Sequence, residues 1–188
     1  MIKPPDNPTP PATELNLHSD VFLRDIIISF ILAGRDTSSS GLSWFFWLLT
    51  THRHVEHAIC KEIEDIVRTR KQGESDEDAD SASTTGSAVD LTFEELKRMH
   101  YLHAAVTESL RLYPPVPVDL KYALHADVWP DGTRVAAHSG IAYHPYAMGR
   151  MERIWGANCC EFKPERWLVN GIFVQESPYK FAVFQVHN

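Results

Sequence analysis

From about Asp20 to Thr51 the chain runs without a proline, and apolar residues surround most of the circumference that a helix would have there. Some 30 residues at 1.5 Å rise make a rod of roughly 45 Å, the width of a large domain. Its most apolar run, Ile26 to Ala33, lies between Arg24-Asp25 and Arg35-Asp36. That run is far shorter than the about 20 apolar residues needed to cross a bilayer, so it reads as a helix buried in a core. Ser19 or Asp20 is placed to cap its start. A helix so long and so apolar asks for a body larger than 188 residues supply, a first sign of a truncated chain.

The rest of the chain is punctuated more conventionally. Residues 1–19 hold Pro4, Pro5, Pro8, Pro10 and Pro11 and read as a proline-rich extended tail with no signal peptide. Val55, Ala58, Ile59, Ile63, Ile66 and Val67 form the stripe of a second, amphipathic helix. Residues 71–90 are acidic, serine-rich and free of aromatics, a flexible linker inside a domain spanning 20–188. Thr92-x-x-Glu95 is a capping box. It opens a helix whose stripe, Leu102, Val106, Leu110 and Tyr113, continues until Pro114-Pro115. Short extended pieces follow from Val116 to Val135, with Asp131-Gly132 as a two-residue hairpin signal. A helical turn falls between Tyr143 and Met151, and the remainder is mostly irregular. The order predicts an α-rich α+β fold.

A net charge of −7 gives no pointer to nucleic acid or to an anionic membrane surface. Three cysteines, two of them adjacent (Cys159, Cys160), make no disulfide framework and suit a reducing compartment.

Three motifs carry chemistry. The first, Ala33-Gly34-Arg35-Asp36-Thr37, interrupts the long helix with a glycine that costs about 1 kcal/mol relative to alanine. The Thr37 hydroxyl is in reach of the Ala33 or Gly34 carbonyl, a back-bond that bends a helix. A small residue, a bend, a hydroxyl and a carboxylate suit a groove where a flat group approaches the backbone. The alternative is a glycine-tolerant helix crossing with a surface aspartate. The second motif sets Glu108 and Arg111 at i, i+3, close enough to pair, which is also how an ordinary exposed helix ion pair looks. The third is Phe162-Lys163-Pro164-Glu165-Arg166-Trp167.

In this order, and with Glu108-Ser-Leu-Arg111-Leu-Tyr-Pro-Pro115 continuing the second motif, the three resemble the C-terminal half of a cytochrome P-450, a haem-thiolate monooxygenase. The resemblance covers essentially Val21 to Gln185. Ser43-Trp-Phe-Phe-Trp-Leu-Leu49, Tyr146-Ala-Met-Gly-Arg-Met151 and Phe181-Ala-Val-Phe-Gln185 are similar to the plant fatty-acid ω-hydroxylase branch. The resemblance implies a partial cytochrome P-450 fold with a haem (heme) cofactor, and NADPH electrons delivered by a flavoprotein reductase. The substrate it implies is a lipophilic small molecule such as a fatty acid, and the full-length family sits at the endoplasmic reticulum membrane; this chain shows no anchor. Ala33 and Gly34 would face haem and dioxygen, Thr37 would stabilise the iron-bound peroxide, and Asp36 would help pass protons inward. Protonating the distal oxygen is what lets the O–O bond break. Glu108, Arg111 and Arg166 would form a buried structural triad that fixes the coil presenting the haem-ligating cysteine. Apolar walls at the oxygen-binding helix suit an alkyl chain, and Phe30, Ala33, Val116 and Val118 are the retained candidates for a substrate channel.

The sequence departs from the family at its end. The family's haem loop reads Phe-x-x-Gly-x-Arg-x-Cys-x-Gly. Starting it at Phe184 puts His187 where the glycine belongs and the cysteine past Asn188. Neither Cys60 nor Cys159-Cys160 stands in a context suited to replace it, so no metal ligand is assigned. The expectation is an inactive chain when alone, and the rival reading is a non-catalytic truncated remnant or mis-spliced product. Ten histidines, including His54/His57 and His100/His103 at i, i+3, raise a metal-binding alternative. His52-Arg53-His54-Val55-Glu56-His57, however, matches no zinc-hydrolase spacing.

Overall fold

The computed structural model describes residues 19–73 and 90–184. The predicted tail short of Ser19, most of the predicted linker and the divergent end at Val186-His187-Asn188 lie outside the described residues. The chain divides into two compact units, Met1–Thr37 and Ser38–Asn188.

Helix α1 (Asp20–Thr51) has the bounds its proline-free run predicts. Ser19 caps it: its hydroxyl accepts from the Phe22 N–H at 3.2 Å and its carbonyl from the Leu23 N–H at 3.0 Å. The expectation that Ile26 to Ala33 is buried is not met. Phe30 is 76% exposed and Leu32 71%, and Ile27 and Ile31 also face outward. Within the first unit the described residues are a single helix, and one helix cannot bury its own circumference.

In the second unit the end of α1 buries Phe45 and Leu48, while Leu42, Trp44, Phe46 and Trp47 stay exposed. Helix α2 (Arg53–Gly73) buries Val55, Ile59 and Ile66, the predicted stripe. It continues through Lys71, Gln72 and Gly73, so the first three positions assigned to the linker are helical. Helix α3 (Phe93–Lys97) opens on the predicted capping box, with both reciprocal bonds between Thr92 and Glu95 present. The Thr92 backbone N–H, 2.8 Å from the carboxylate, holds Glu95 below the usual carboxylate range.

The helix predicted to run on from there to Tyr113 is instead two. Met99 leaves helical geometry at φ −80°, ψ 69°, and α4 (His100–Leu112) starts afresh. Its inward face also differs from the predicted stripe. Val106 is exposed and Leu102 and Leu110 half-buried, whereas Ala104, Ala105, Glu108, Ser109, Arg111 and Leu112 are buried. Helix α4 is a partition. Ala105 and Leu112 join Phe45, Leu48, Val55, Ile59 and Phe162 in one apolar cluster. Ala104 joins Trp155, Cys159, Trp167 and Phe181 in the other.

Strands β1 (Asp119–Tyr122), β2 (Asp127–Val128), β3 (Arg134–Val135) and β4 (Gly140–Tyr143) form two antiparallel pairs, β1 with β4 and β2 with β3. The β2–β3 loop is five residues, Trp129 to Thr133, rather than two. The Trp129 carbonyl accepts from Gly132 at 2.8 Å, and the Trp129 N–H donates to Thr133 at 2.9 Å. Gly132 sits at φ +85°, which only glycine takes without strain. Helix α5 (Pro145–Met148) is the predicted turn. Helix α6 (Glu152–Trp155), a 3₁₀ turn at Pro164–Trp167 and the hairpin of β5 (Leu168–Val169) with β6 (Ile172–Phe173) complete an α-rich α+β fold.

Candidate functional site

The densest chemistry of the second unit gathers around one carboxylate. Glu108 is 0% exposed and Arg111 1%, so this i, i+3 pair is not the ordinary surface bridge. The Arg111 Nε donates to Glu108 Oε2 at 2.7 Å and Nη2 donates to Oε1 at 2.8 Å, a bidentate fork. Arg166, carried on the 3₁₀ turn, adds its Nε at 3.1 Å to Oε1. The Lys163 backbone N–H reaches Oε1 at 3.1 Å, and the Trp167 indole N–H reaches Oε2 at 2.9 Å. The remaining Arg111 N–H groups are directed at backbone carbonyls: Gly149, Cys159 at 2.6 Å and Glu161 at 3.1 Å. A guanidinium has five N–H donors, and every one has an acceptor here. Arg166 likewise spends its Nη1 on the Trp155 carbonyl at 3.1 Å and its Nη2 on Asn158 at 2.9 Å.

This arrangement ties α4 to the coil between α5 and β5 by charge-assisted bonds at full burial. Leaving a member unpaired there costs about 3–5 kcal/mol. The local sequence makes it possible. Pro164 starts the 3₁₀ turn that aims Arg166 and Trp167 back at α4. Gly149 follows α5 so closely under α4 that a Cβ would strike the Arg111 carbonyl oxygen.

Two supporting residues have no counterpart in the sequence reading. Glu62, on α2, accepts the backbone N–H groups of Tyr101 at 2.8 Å and Leu102 at 3.0 Å. It thereby caps α4 from another helix, since the N-cap residue Met99 makes no side-chain cap bond. Tyr101 in turn donates its hydroxyl to Glu165 at 2.8 Å. Burial, with help from that bond, pushes its phenol up. No local pattern announces Glu62; it is one acidic residue on the polar side of an amphipathic helix. Trp167 carried a signal: an indole N–H in a core needs an acceptor, and the structure supplies Glu108.

In the first unit, Phe30, Ala33, Gly34 and Thr37 stand at i, i+3, i+4 and i+7 and share one face of α1. Thr37 Oγ1 donates to the Ala33 carbonyl at 2.7 Å, the back-bond its position predicts. Asp36 flanks that face. It is 90% exposed with Arg35 Nε 3.9 Å away, so the pair is solvated rather than buried. Val116 and Val118, the other channel candidates, lie exposed on the irregular segment before β1. The structure thus joins Glu108, Arg111 and Arg166 in one cluster and sets Ala33, Gly34 and Thr37 on one helical face.

The sequence profile of the family Cytochrome P450 matches residues 14–184. The chain is 52% identical to Cytochrome P450 86B1 of Arabidopsis thaliana over 88% of its own length and 29% of that protein. It is 48% identical to Cytochrome P450 94C1 of Arabidopsis thaliana, covering 88% of the chain and 31% of the relative. With Cytochrome P450 94A2 of Vicia sativa the identity is 48%, covering 89% and 30%. A polypeptide that threads Glu-x-x-Arg and Pro-Glu-Arg-Trp into one buried charge cluster, and carries Ala-Gly-x-Asp-Thr within a long helix, belongs to the cytochrome P450 family. The chain spans about a third of the length of the curated relatives it matches.

The family's cofactor is haem iron. The α1 face fits the open side of such a group. A Cβ at Gly34 would meet nothing within 4 Å, and the positions beside it are alanine, phenylalanine and a hydroxyl. The cysteines do not fit the other side. Cys60 and Cys160 are exposed, and Cys159 is buried with its thiol 3.8 Å from that of Cys160. Burial pushes the Cys159 thiol up, away from the thiolate a metal requires. Among the described residues no group of three His, Cys, Asp or Glu is placed to hold a metal ion, and no helix is long and apolar enough to cross a membrane.

Proposed function

We propose that the chain forms the dioxygen-side helix and the buried charge anchor of a haem-dependent monooxygenase. The enzyme hydroxylates a lipophilic substrate such as a fatty acid at its ω end, drawing NADPH electrons through a flavoprotein reductase. Membership of the cytochrome P450 family supports the reaction class. The face shared by Phe30, Ala33, Gly34 and Thr37 is the observation that carries the assignment of roles. Haem, when bound, supplies one-electron and dioxygen chemistry that no side chain here offers.

The residues of the chain do the rest. Ala33 and Gly34 keep the helix surface low, so a planar group approaches the backbone. Phe30 gives an alkyl chain an apolar wall on the α1 face, and Val116 and Val118 stay separate candidates for contact with the substrate. The Thr37 hydroxyl now donates to Ala33 and presents only lone pairs outward. Rotating out of that back-bond turns it into a donor toward the reacting oxygen, with the Ala33 carbonyl left to water. Asp36, exposed beside it, exchanges protons with solvent and relays them toward the Thr37 oxygen. Glu108, Arg111 and Arg166 touch no substrate; they hold the coil between α5 and β5 in place.

The test uses a P450 of full family length carrying this sequence, with a reductase, NADPH and a fatty acid. We expect ω-hydroxylated product. Thr37→Val should lower product per NADPH consumed by about 100-fold, the low end of what a proton-delivering group contributes. Unchanged coupling in Thr37→Val removes Thr37 from the proton path, and absence of any hydroxylated lipid removes the substrate class.

A further inference from the structure

The adjacent cysteines are used by nothing in the proposed reaction, yet one of them holds the anchor. We propose that Cys159 and Cys160 form a redox-sensitive vicinal dithiol that peroxide closes into a disulfide ring, and that closing it withdraws a backbone carbonyl from Arg111. Three observations carry this. The two sulfurs are 3.8 Å apart, already turned toward each other. Cys160 is exposed and open to a small oxidant, while Cys159 is packed with Trp155 and Trp167 in the second apolar cluster. The peptide joining the two residues would be part of the ring, and its carbonyl is the Cys159 oxygen that accepts from Arg111 Nη1 at 2.6 Å.

Consecutive Cα atoms across a trans peptide lie about 3.8 Å apart, below the usual disulfide span of about 4.4–6.8 Å. Closing the ring therefore rotates the shared peptide rather than leaving it in place. A strained, half-exposed disulfide is also easily reduced, which is the property of a switch rather than of a staple. The chemistry balances without further reagents. The Cys160 thiolate attacks one oxygen of hydrogen peroxide, the O–O bond breaks, and the departing hydroxide takes a proton to become water. Cys160 is then a sulfenic acid. The Cys159 sulfur attacks it, the S–O bond breaks, and hydroxide leaves with the Cys159 proton as a second water. Two thiols have lost two hydrogens and one peroxide has become two waters. A dithiol reductant reverses it.

In the open state every N–H of Arg111 is satisfied. In the closed state one loses its acceptor inside a buried site, and the tie between α4 and the coil loosens. The device would let an oxidising episode weaken the coil while leaving Glu108, Arg111 and Arg166 chemically intact.

The experiment uses the full 188-residue chain carrying Cys60→Ser, so that only the adjacent pair remains. After hydrogen peroxide and trypsin, the Ile154–Arg166 peptide should have lost two hydrogens and be closed to alkylation, and dithiothreitol should restore both thiols. Circular dichroism should show the thermal midpoint falling by about 2–4 °C on oxidation, the shift expected when a chain of this size loses one such contact, and recovering on reduction. Cys160→Ser changes only an exposed side chain and should abolish both effects. Sulfinic acid at Cys160 with Cys159 still open to alkylation overturns the proposal. So does a ring that forms without moving the midpoint, or a midpoint that falls equally in Cys160→Ser.

Discussion

The buried anchor around α4 and the first half of α1 are opposites in how they satisfy their groups. Around Glu108 and Arg111, polar atoms are withdrawn from water and each is matched by a partner. Along Ile26 to Leu32, apolar side chains are exposed, and no neighbour among the described residues of their own unit covers them. The first arrangement is expensive to form and more expensive to break, because desolvated charge has nowhere else to go. The second is inexpensive to alter, since side chains already in water lose no burial when shortened. A protein region that positions other parts needs the first property. Glu108 and Phe30 are the residues in which that contrast is sharpest.

The strongest way to break the comparison is Glu108→Gln. An amide places an NH₂ among donors and strands Arg111, so urea unfolding should show a loss of about 3–5 kcal/mol. A loss under 1 kcal/mol would mean that water reaches the cluster and that its burial is not what holds it. Next is Gly149→Ala, where the new methyl meets the Arg111 carbonyl. Overpacking of this kind costs about 1–3 kcal/mol, visible in the same titration, and a neutral result would show that α4 and α5 slide apart freely. Glu62→Gln sharpens the comparison from outside the cluster. It keeps one acceptor for the Tyr101 and Leu102 N–H groups but removes the charge at the α4 N-terminus, for an expected loss of about 0.5–1 kcal/mol. Hydrogen exchange at the first turn of α4 should quicken in step with it. At the other end of the scale, Phe30→Ser on the exposed face should move stability of the 188-residue chain by no more than about 0.5 kcal/mol. A larger loss would reveal packing over Phe30.

How much was legible depends on how far apart the interacting residues are. Helix α1 declares both its ends, because a proline-free run and a serine cap are properties of consecutive residues. The same holds for Thr92 with Glu95, three positions apart, and for the turn at Gly132. Glu108, Arg111 and Arg166 could be singled out only as a pattern of motifs. Their burial, and the Arg166 guanidinium and Trp167 indole on the same carboxylate, depend on contacts across more than fifty positions. The stripe along α4 misled for a related reason. Leu102, Val106 and Leu110 looked like the inward face, but the helix turns its charged pair inward, because Glu108 and Arg111 neutralise one another and find backbone partners there.

The sequence by itself determined where the helices begin, which turns need glycine, and which family the motifs belong to, since each rests on short-range sterics, hydrogen bonding or residue order. Only the tertiary structure decided which side of α4 faces inward, that Glu62 caps it from a neighbouring helix, and that a cysteine carbonyl completes Arg111. Those outcomes depend on desolvation and on partners brought together from distant positions, and desolvation is a property of the folded surroundings rather than of any residue alone.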